Sequence, residues 1–385
     1  MFHTPRRSTT TTSSARSYSA CRRTPPRSPA RFLRRFRDHH RRAPLLGFFE
    51  QCLIPFGSEQ GPSGNDDLVF HPILEPPDRV PPRCFSLGRA LAGAGRAIEL
   101  LACRHGRVAF LDTSRMSGFA VLVCDPVTGG HVRLPPVQPE FANVFVFNGT
   151  VLCADGGEQG HGHGACHSSP FKVVAVSRST NDCCPMACVY SSETGMWGDI
   201  ICHDRPCRSV DFIEPGTLIA HALYCKISTG SQEEEDVMAE PDGLLEFDLD
   251  RHSSTVIKRP PINHTDYRRI IKTVHGGVGL AALSCRTSQL QVWHRNANCH
   301  NVATWVLFKT VDLHDIFGLQ EHERWPRERR HDVMGYDEDD GVIFICVDSS
   351  LFMLQLDSMQ FTRHYERMET RYLNTYHPFR SFYFY

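Results

Sequence analysis

The stretch GEQGHGHGACHSSPF, residues 157–171, sets His161, His163, Cys166 and His167 within seven positions. Imidazole nitrogens and a thiolate are ligand types that zinc takes. Structural zinc usually brings two short ligand pairs separated by an ordered knuckle, whereas here all four residues lie among glycines. A loop joining two strands is the favoured reading, with a metal site as the weaker alternative. Cys183 and Cys184 are adjacent, a spacing that suits neither a Cys-x-x-Cys redox pair nor easy bridging. The acidic run EEED at 233–236 reads as a solvated loop, with capture of a basic target as its alternative. HGGVGLAAL at 275–283 has the glycines of a phosphate or oxyanion loop, but no Gly-x-Ser-x-Gly elbow or Walker lysine accompanies it, so a glycine turn into a strand is preferred. Of the four tryptophans, Trp197, Trp293 and Trp305 lie within strand-like text and are expected to pack. Trp325, in QEHERWPRERRH, is the candidate exposed anchor for a partner. No nucleophile, base and orienting acid stand in a recognisable pattern, so no catalytic residue and no cofactor is expected.

The elements that carry these residues are β. After Asp67, short runs rich in Val, Ile, Phe and Leu are broken by Gly, Pro, Asn and Asp, and helical periodicity is rarely sustained. The exception is residues 86–106, Ala- and Leu-rich with internal glycines, where helix and irregular loop are both open. Five hairpins stand out, at 119–136, 186–201, 244–261, 290–313 and 351–366, with turn text such as DPVTGG and SSETG that tolerates positive φ. Further strand candidates lie between them. Two strand pairs per unit, at irregular spacings, read as a β-propeller of roughly six irregular blades. Radial stacking buries both apolar faces of each sheet. A β-sandwich is the runner-up, but this many strands would need two.

The fold class expected is therefore all-β, with the propeller over 67–385 and a closing strand from the terminal YHPFRSFYFY, where Phe379, Phe382 and Phe384 alternate with polar residues. Upstream the text changes. Residues 1–42 hold twelve arginines, no lysine and one acid, Asp38. Residues 1–30 are Arg/Ser/Thr/Pro-rich and too poor in aliphatic side chains to offset ordering entropy, so they are expected to be disordered. A transit peptide is the alternative for them. Over 31–50, Phe32, Leu33 and Phe36 share one face of a short helix that stops before Pro44.

A net charge of -1 gives no global field toward nucleic acid or an anionic membrane. No window approaches the roughly 18 apolar residues of a membrane span. Sixteen cysteines, mostly inside apolar runs, read as free thiols of a reducing compartment. Cytoplasm or nucleus is the expected location, with an organelle as the alternative.

The phrases RFLRRFRDHHRRAPLLGFF, HGRVAFLD, LVCDPVTGGHVRLPP, ACVYSSETGMWGD, GLLEFDLD, LQVWHR, GYDEDDGVIFI, FMLQLDSMQF and YHPFRSFY, in this order, resemble grass F-box proteins with an F-box-associated β-propeller. The resemblance covers residues 31–385. It implies a substrate-recognition subunit of an SCF-type ubiquitin ligase, in which the F-box docks on the Skp adaptor and the propeller selects an unknown target protein. The upstream text departs from that pattern, because nothing before Arg31 supplies the amphipathic helices of an F-box. Residues 9–30 can be back-translated so that a shifted frame reads DDDLLREILLRLPPHPASLPRA, a credible F-box opening. As written, the chain is expected not to dock on the Skp adaptor. Two other function classes stay open: a hydrolase-like propeller enzyme, and a zinc- or nucleic-acid-binding protein built on the histidine loop or the Arg-rich tail.

Overall fold

A computed structural model describes residues 43–53 and most of 68–381. Outside the description lie 1–42, 54–67, 88–97, 113–119, 138–144, 155–165, 180–182, 211–213, 229–242, 264–266, 298–302, 314–330, 365–372, 382–385 and a few isolated positions. The expected disordered tail and residues 31–42 of the segment 31–50 read as a short helix fall outside the described residues, and from Leu45 onward that segment is corrected to strand β1 (Leu45–Leu53), held by pairing on both sides.

The chain lays down one antiparallel sheet after another. Strands β1 (Leu45–Leu53) and β2 (Leu68–Pro72) open the first blade. The second holds β3 (Ile98–Arg104), β4 (Arg107–Asp112), β5 (Ala120–Cys124) and β6 (His131–Arg133). The third holds β7 (Phe145–Cys153), β8 (Phe171–Arg178) and β9 (Pro185–Ser191), with β10 (Met196–Trp197) and β11 (Ile201–Cys202) both paired to β9. In the fourth, β12 (Ser209–Val210) and β13 (Thr217–Ile219) both pair with β14 (Ala222–Ser228), followed by β15 (Gly243–Asp248) and β16 (Ser253–Lys258). The fifth is β17 (Tyr267–Lys272), β18 (Val278–Leu283), β19 (Gln289–Ala297) and β20 (Ala303–Asp312). The sixth is β21 (His331–Asp337), β22 (Val342–Val347), β23 (Ser350–Gln355) and β24 (Phe361–His364). Finally β25 (Leu373–Arg380) returns to pair with β1, in the order β2-β1-β25, and so completes the first blade.

The result is a six-bladed β-propeller whose ring is closed by the two ends of the described chain. The expected closing strand is β25, with Phe379 fully buried; Phe382 and Phe384 lie outside the described residues. The boundary expected at Asp67 is corrected. The ring begins at Leu45, because β1 supplies the middle of the first sheet and its backbone pairs on both sides. Residues 98–104, where helix and loop were open, are strand β3.

Middle strands of the blades are buried on both faces, which is why they read as apolar runs without alternation. In β4, Val108 and Phe110 join the core shared with the first blade, while Ala109 and Leu111 join the core shared with the third. In β22, Ile343 and Ile345 face the fifth blade and Phe344 and Cys346 face the first. Side chains alternate along a strand, so each middle strand welds two neighbours at once. The turns follow from their residues. Asp125 Oδ1 accepts from Val127 N at 2.9 Å, and Gly129 adopts φ +73° at no steric cost. The tryptophans expected to pack do so between blades: Trp197 against the second-to-third core, and Trp293 and Trp305 against the fourth-to-fifth. Among the described residues no helix is long and apolar enough to cross a membrane.

Candidate functional site

The inner strands β3, β7, β13, β17, β21 and β25 leave their edges facing a central channel. An inner edge explains Pro378 within β25, since a strand edge facing the channel asks no ladder bond of that residue. A cavity of about 70 Å³ opens there, lined from all six blades by residues including His105, Thr150, Thr217, Arg269, Tyr336 and His377. That is room for about five waters.

Side-chain bonds tie each blade to the next around this channel. Gln51 donates from Nε2 to Ile98 O at 3.0 Å and accepts from Leu100 N at 2.6 Å, joining the first blade to the second. His105 Nδ1 accepts from Cys153 N at 3.1 Å, joining the second to the third. Asn148 accepts from Gly216 N at 2.6 Å and donates to Glu214 O at 2.6 Å, joining the third to the fourth. Thr217 Oγ1 donates to Ile270 O at 3.2 Å, and Lys272 N donates to Tyr336 Oη at 3.0 Å, continuing through the fifth to the sixth. Arg380 closes the circle, donating from Nε to Asp337 Oδ1 at 2.8 Å and from Nη1 to Ala43 O at 2.7 Å. Its Nη2 also reaches Asp337 Oδ2 and Asp340 Oδ2.

The ionisable groups of the channel fall into two sets. Near the mouth, Arg380 grips Asp337 and Asp340, and Arg104 Nε holds Glu338 Oε1 at 2.7 Å. Burial raises the Asp337 carboxyl against the opposing pull of Arg380. Burial also pushes Glu338 up to about 7, with Arg104 pulling it down. In the second set, Lys226 pairs with Glu214, and Arg269 Nη1 stands 3.4 Å from the other oxygen of that carboxylate. Asp332 neighbours this group, and burial followed by the Glu214 charge pushes it up to about 7. His377, bonded to Thr375 Oγ1 at 3.1 Å, is pushed down to about 3 by burial and is neutral.

Of the residues singled out from sequence, His161, His163, His167 and Trp325 lie outside the described residues. Cys166 is described and buried, its Sγ 3.6 Å from His105 O and its carbonyl accepting from Arg107 at 2.5 Å. Among the described residues no group of His, Cys, Asp and Glu is placed to hold a metal ion. The channel residues Arg269, Asp332, His377 and Arg380 were missed by sequence reasoning. A signal existed: each is a charged or imidazole side chain inside strand text where an apolar residue would otherwise stand.

Six sheets around a polar, water-sized channel define a β-propeller. Residues 99–383 match the family model described as "F-box protein AT5G49610-like, beta-propeller", and the chain belongs to that family. No curated protein matches the chain. Solved structures similar to it include the GH93 alpha-L-arabinofuranosidase of Fusarium graminearum with arabinobiose, at 10% identity and TM-score 0.35, covering 72% of this chain and 82% of that one. TolB from Acinetobacter baumannii is similar at 10% identity and TM-score 0.45, covering 86% and 67%. A prolyl endopeptidase is similar at 11% identity and TM-score 0.37, covering 77% and 38%. Likeness at this level says nothing of a shared activity.

Proposed function

We propose that the chain is a protein-interaction module that selects a target protein, the substrate-recognition part of an SCF-type ubiquitin ligase subunit. The observation that carries the reading is the family match over 99–383, which spans all the blades from β3 onward. The chemistry of the channel mouth supports binding over catalysis. Its carboxylates and guanidiniums are engaged with one another, Asp337 with Arg380 and Glu338 with Arg104, so they hold the ring and do not stand poised for turnover. A rigid ring is also a suitable base from which loops present recognition residues. We place the protein in the cytoplasm or nucleus, where its ligase partners act, with neither membrane nor nucleic acid as a partner.

The test joins the propeller, residues 43–385, behind an intact F-box and assembles it with the Skp adaptor, cullin and RING subunit. Target recognition is expected to appear as reproducible enrichment of one protein, and its ubiquitination in the reconstituted reaction. Enrichment of none, or hydrolysis of a glycoside or peptide by the purified chain, overturns the reading.

A further inference from the structure

Cys183 and Cys184 end the connection from β8 to β9, and Cys207 stands in the segment that carries the chain from the third blade into the fourth. The fold brings these two stretches together. Cys207 N donates to Cys183 O at 3.0 Å, His203 N donates to Pro185 O at 2.8 Å, and Cys207 O accepts from Arg178 Nη1 at 3.4 Å. A backbone bond such as that between Cys207 and Cys183 sets two Cα atoms roughly 5–6 Å apart, within the span that a disulfide bridges.

All three cysteines are free thiols. Cys207 is buried in the core between the third and fourth blades, with Leu218 and Leu223. Its thiol is pushed up to about 12, by burial first, with Arg178 opposing and Cys183 and Cys184 adding to the rise. Charges act on a thiol in this way only from close by, so both neighbouring sulfurs lie near Cys207. Two observations single out Cys183. It is half-buried, partly open to a small solute. Its φ is +58°, a left-handed conformation that a residue with a Cβ rarely adopts and that persists where the surroundings hold it, here through the bond from Cys207. Adjacent cysteines bridge one another poorly, whereas Cys207 meets Cys183 from across the fold.

We propose that Cys183 and Cys207 form a reversible disulfide site, closed by a peroxide and reopened by a dithiol reductant. The Cys183 thiolate attacks one peroxide oxygen, the O–O bond breaks, and Cys183 becomes a sulfenic acid while the other oxygen takes a proton and leaves as water. The Cys207 sulfur then attacks the sulfenic sulfur. The S–S bond forms, the S–O bond breaks, and the departing hydroxide takes the Cys207 proton and leaves as a second water. Two thiols thus give two electrons to one peroxide. The order follows from burial, since Cys207 stays protonated and resolves the sulfenic acid but does not attack first. The bond fastens the entry to the fourth blade onto the third and hardens that seam. It concerns the thiols alone, so it stands whether or not the propeller selects a ligase target.

The test takes the full chain, reduced and freed of reductant, through a small excess of hydrogen peroxide and then iodoacetamide in urea. Cleavage before aspartate parts residues 182–198, which hold Cys183, from 199–203, which hold Cys202, and from 204–210, which hold Cys207. Peptide 182–198 is expected to be joined to 204–210 and released by dithiothreitol, with fragment ions placing the bond on Cys183 and the alkyl group on Cys184. Cys207 found alkylated or joined to any other cysteine overturns the proposal, as does a bond between Cys183 and Cys184. This mapping uses the unaltered chain, so it decides even where a variant does not fold. Oxidation is also expected to raise Tm by several degrees in the unaltered chain and in Cys184→Ser, and not in Cys183→Ser. A rise kept in Cys183→Ser and lost in Cys184→Ser overturns the pairing, and a bond that forms without raising Tm overturns its role at the seam.

Discussion

Arg380 and Asp337 form a buried ion pair between the last strand and the sixth blade, their side chains 8% and 4% exposed, with Nε to Oδ1 at 2.8 Å. The same guanidinium donates to Ala43 O at 2.7 Å, so one side chain fastens both ends of the described chain to the ring. Removing the cation leaves Asp337 buried without its partner. We expect Arg380→Met to destabilise the fold by roughly 3–5 kcal/mol in urea unfolding at pH 8. At pH 5 the loss should be smaller, because the orphaned carboxyl takes up a proton instead of staying charged. An equal loss at both pH values would show that packing and not charge is what Arg380 contributes.

Gly335 makes the second closure contact. A Cβ built on it would sit 2.5 Å from Tyr376 O, on the strand β25 that lies against β21. Backbone, not a flexible side-chain tip, is the obstacle. Gly335→Ala is expected to cost roughly 1–3 kcal/mol by overpacking, read as a fall in the urea midpoint. Hydrogen exchange should speed up first in β21 and β25, the elements pushed apart.

Asp332 gives the fold a dependence on pH. Its folded-state carboxyl is raised from 3.8 to about 7, by burial first and by Glu214 next, with Lys226 and Arg269 pulling the other way. The folded protein therefore binds this proton more tightly than the unfolded chain does. The stabilisation is fully present below about pH 4 and is lost as pH rises through about 7. Asp332→Asn removes the titration, so the variant should gain on the unaltered protein in Tm between pH 4 and pH 8. A parallel pair of Tm curves across that range would refute the assignment.

How far these relationships were legible in the sequence depends on distance along the chain. The hairpin at 119–136 announced itself because Asp125, Thr128 and Gly129 make a local turn between β5 and β6. The closing role of β25 was legible from its position and aromatic text. Strand β1 was not recognised: LLGFFEQCL lacks alternation, and its pairing partners in β25 lie more than 300 residues away. The channel escaped for the same reason. Arg269, Asp332 and His377 stand on three different inner strands, and only ring closure brings them to one place.

The histidine loop yields a further expectation. Cys166 is held by Arg107 through its carbonyl and is buried against His105 O, so its thiol is turned toward protein. Without that thiol the glycine-flanked histidines offer zinc no tetrahedral set from the text around them. A chelator should therefore leave Tm unchanged, and added zinc should not raise it. A chelator-induced fall of several degrees would restore the metal reading.

The last expectation concerns assembly. The resemblance implies an F-box that docks on the Skp adaptor, and we propose that residues 1–42, rich in arginine and without Leu-Pro text, do not supply it. The propeller cannot substitute for it, because β1 begins at Leu45 and is already committed to β2 and β25. The 385-residue chain is therefore expected to fold and to bind its target while failing to capture the adaptor. A version in which residues 9–30 are replaced by the shifted-frame reading, and extended as an F-box, should capture it. The check is a pull-down of purified adaptor by both proteins, with circular dichroism to establish that both are folded. Capture by the chain as written, at micromolar affinity or better, would mean that residues 1–42 hold a working docking element after all. Failure of both versions would count against the proposed ligase reading itself, since that reading rests on docking through the restored segment.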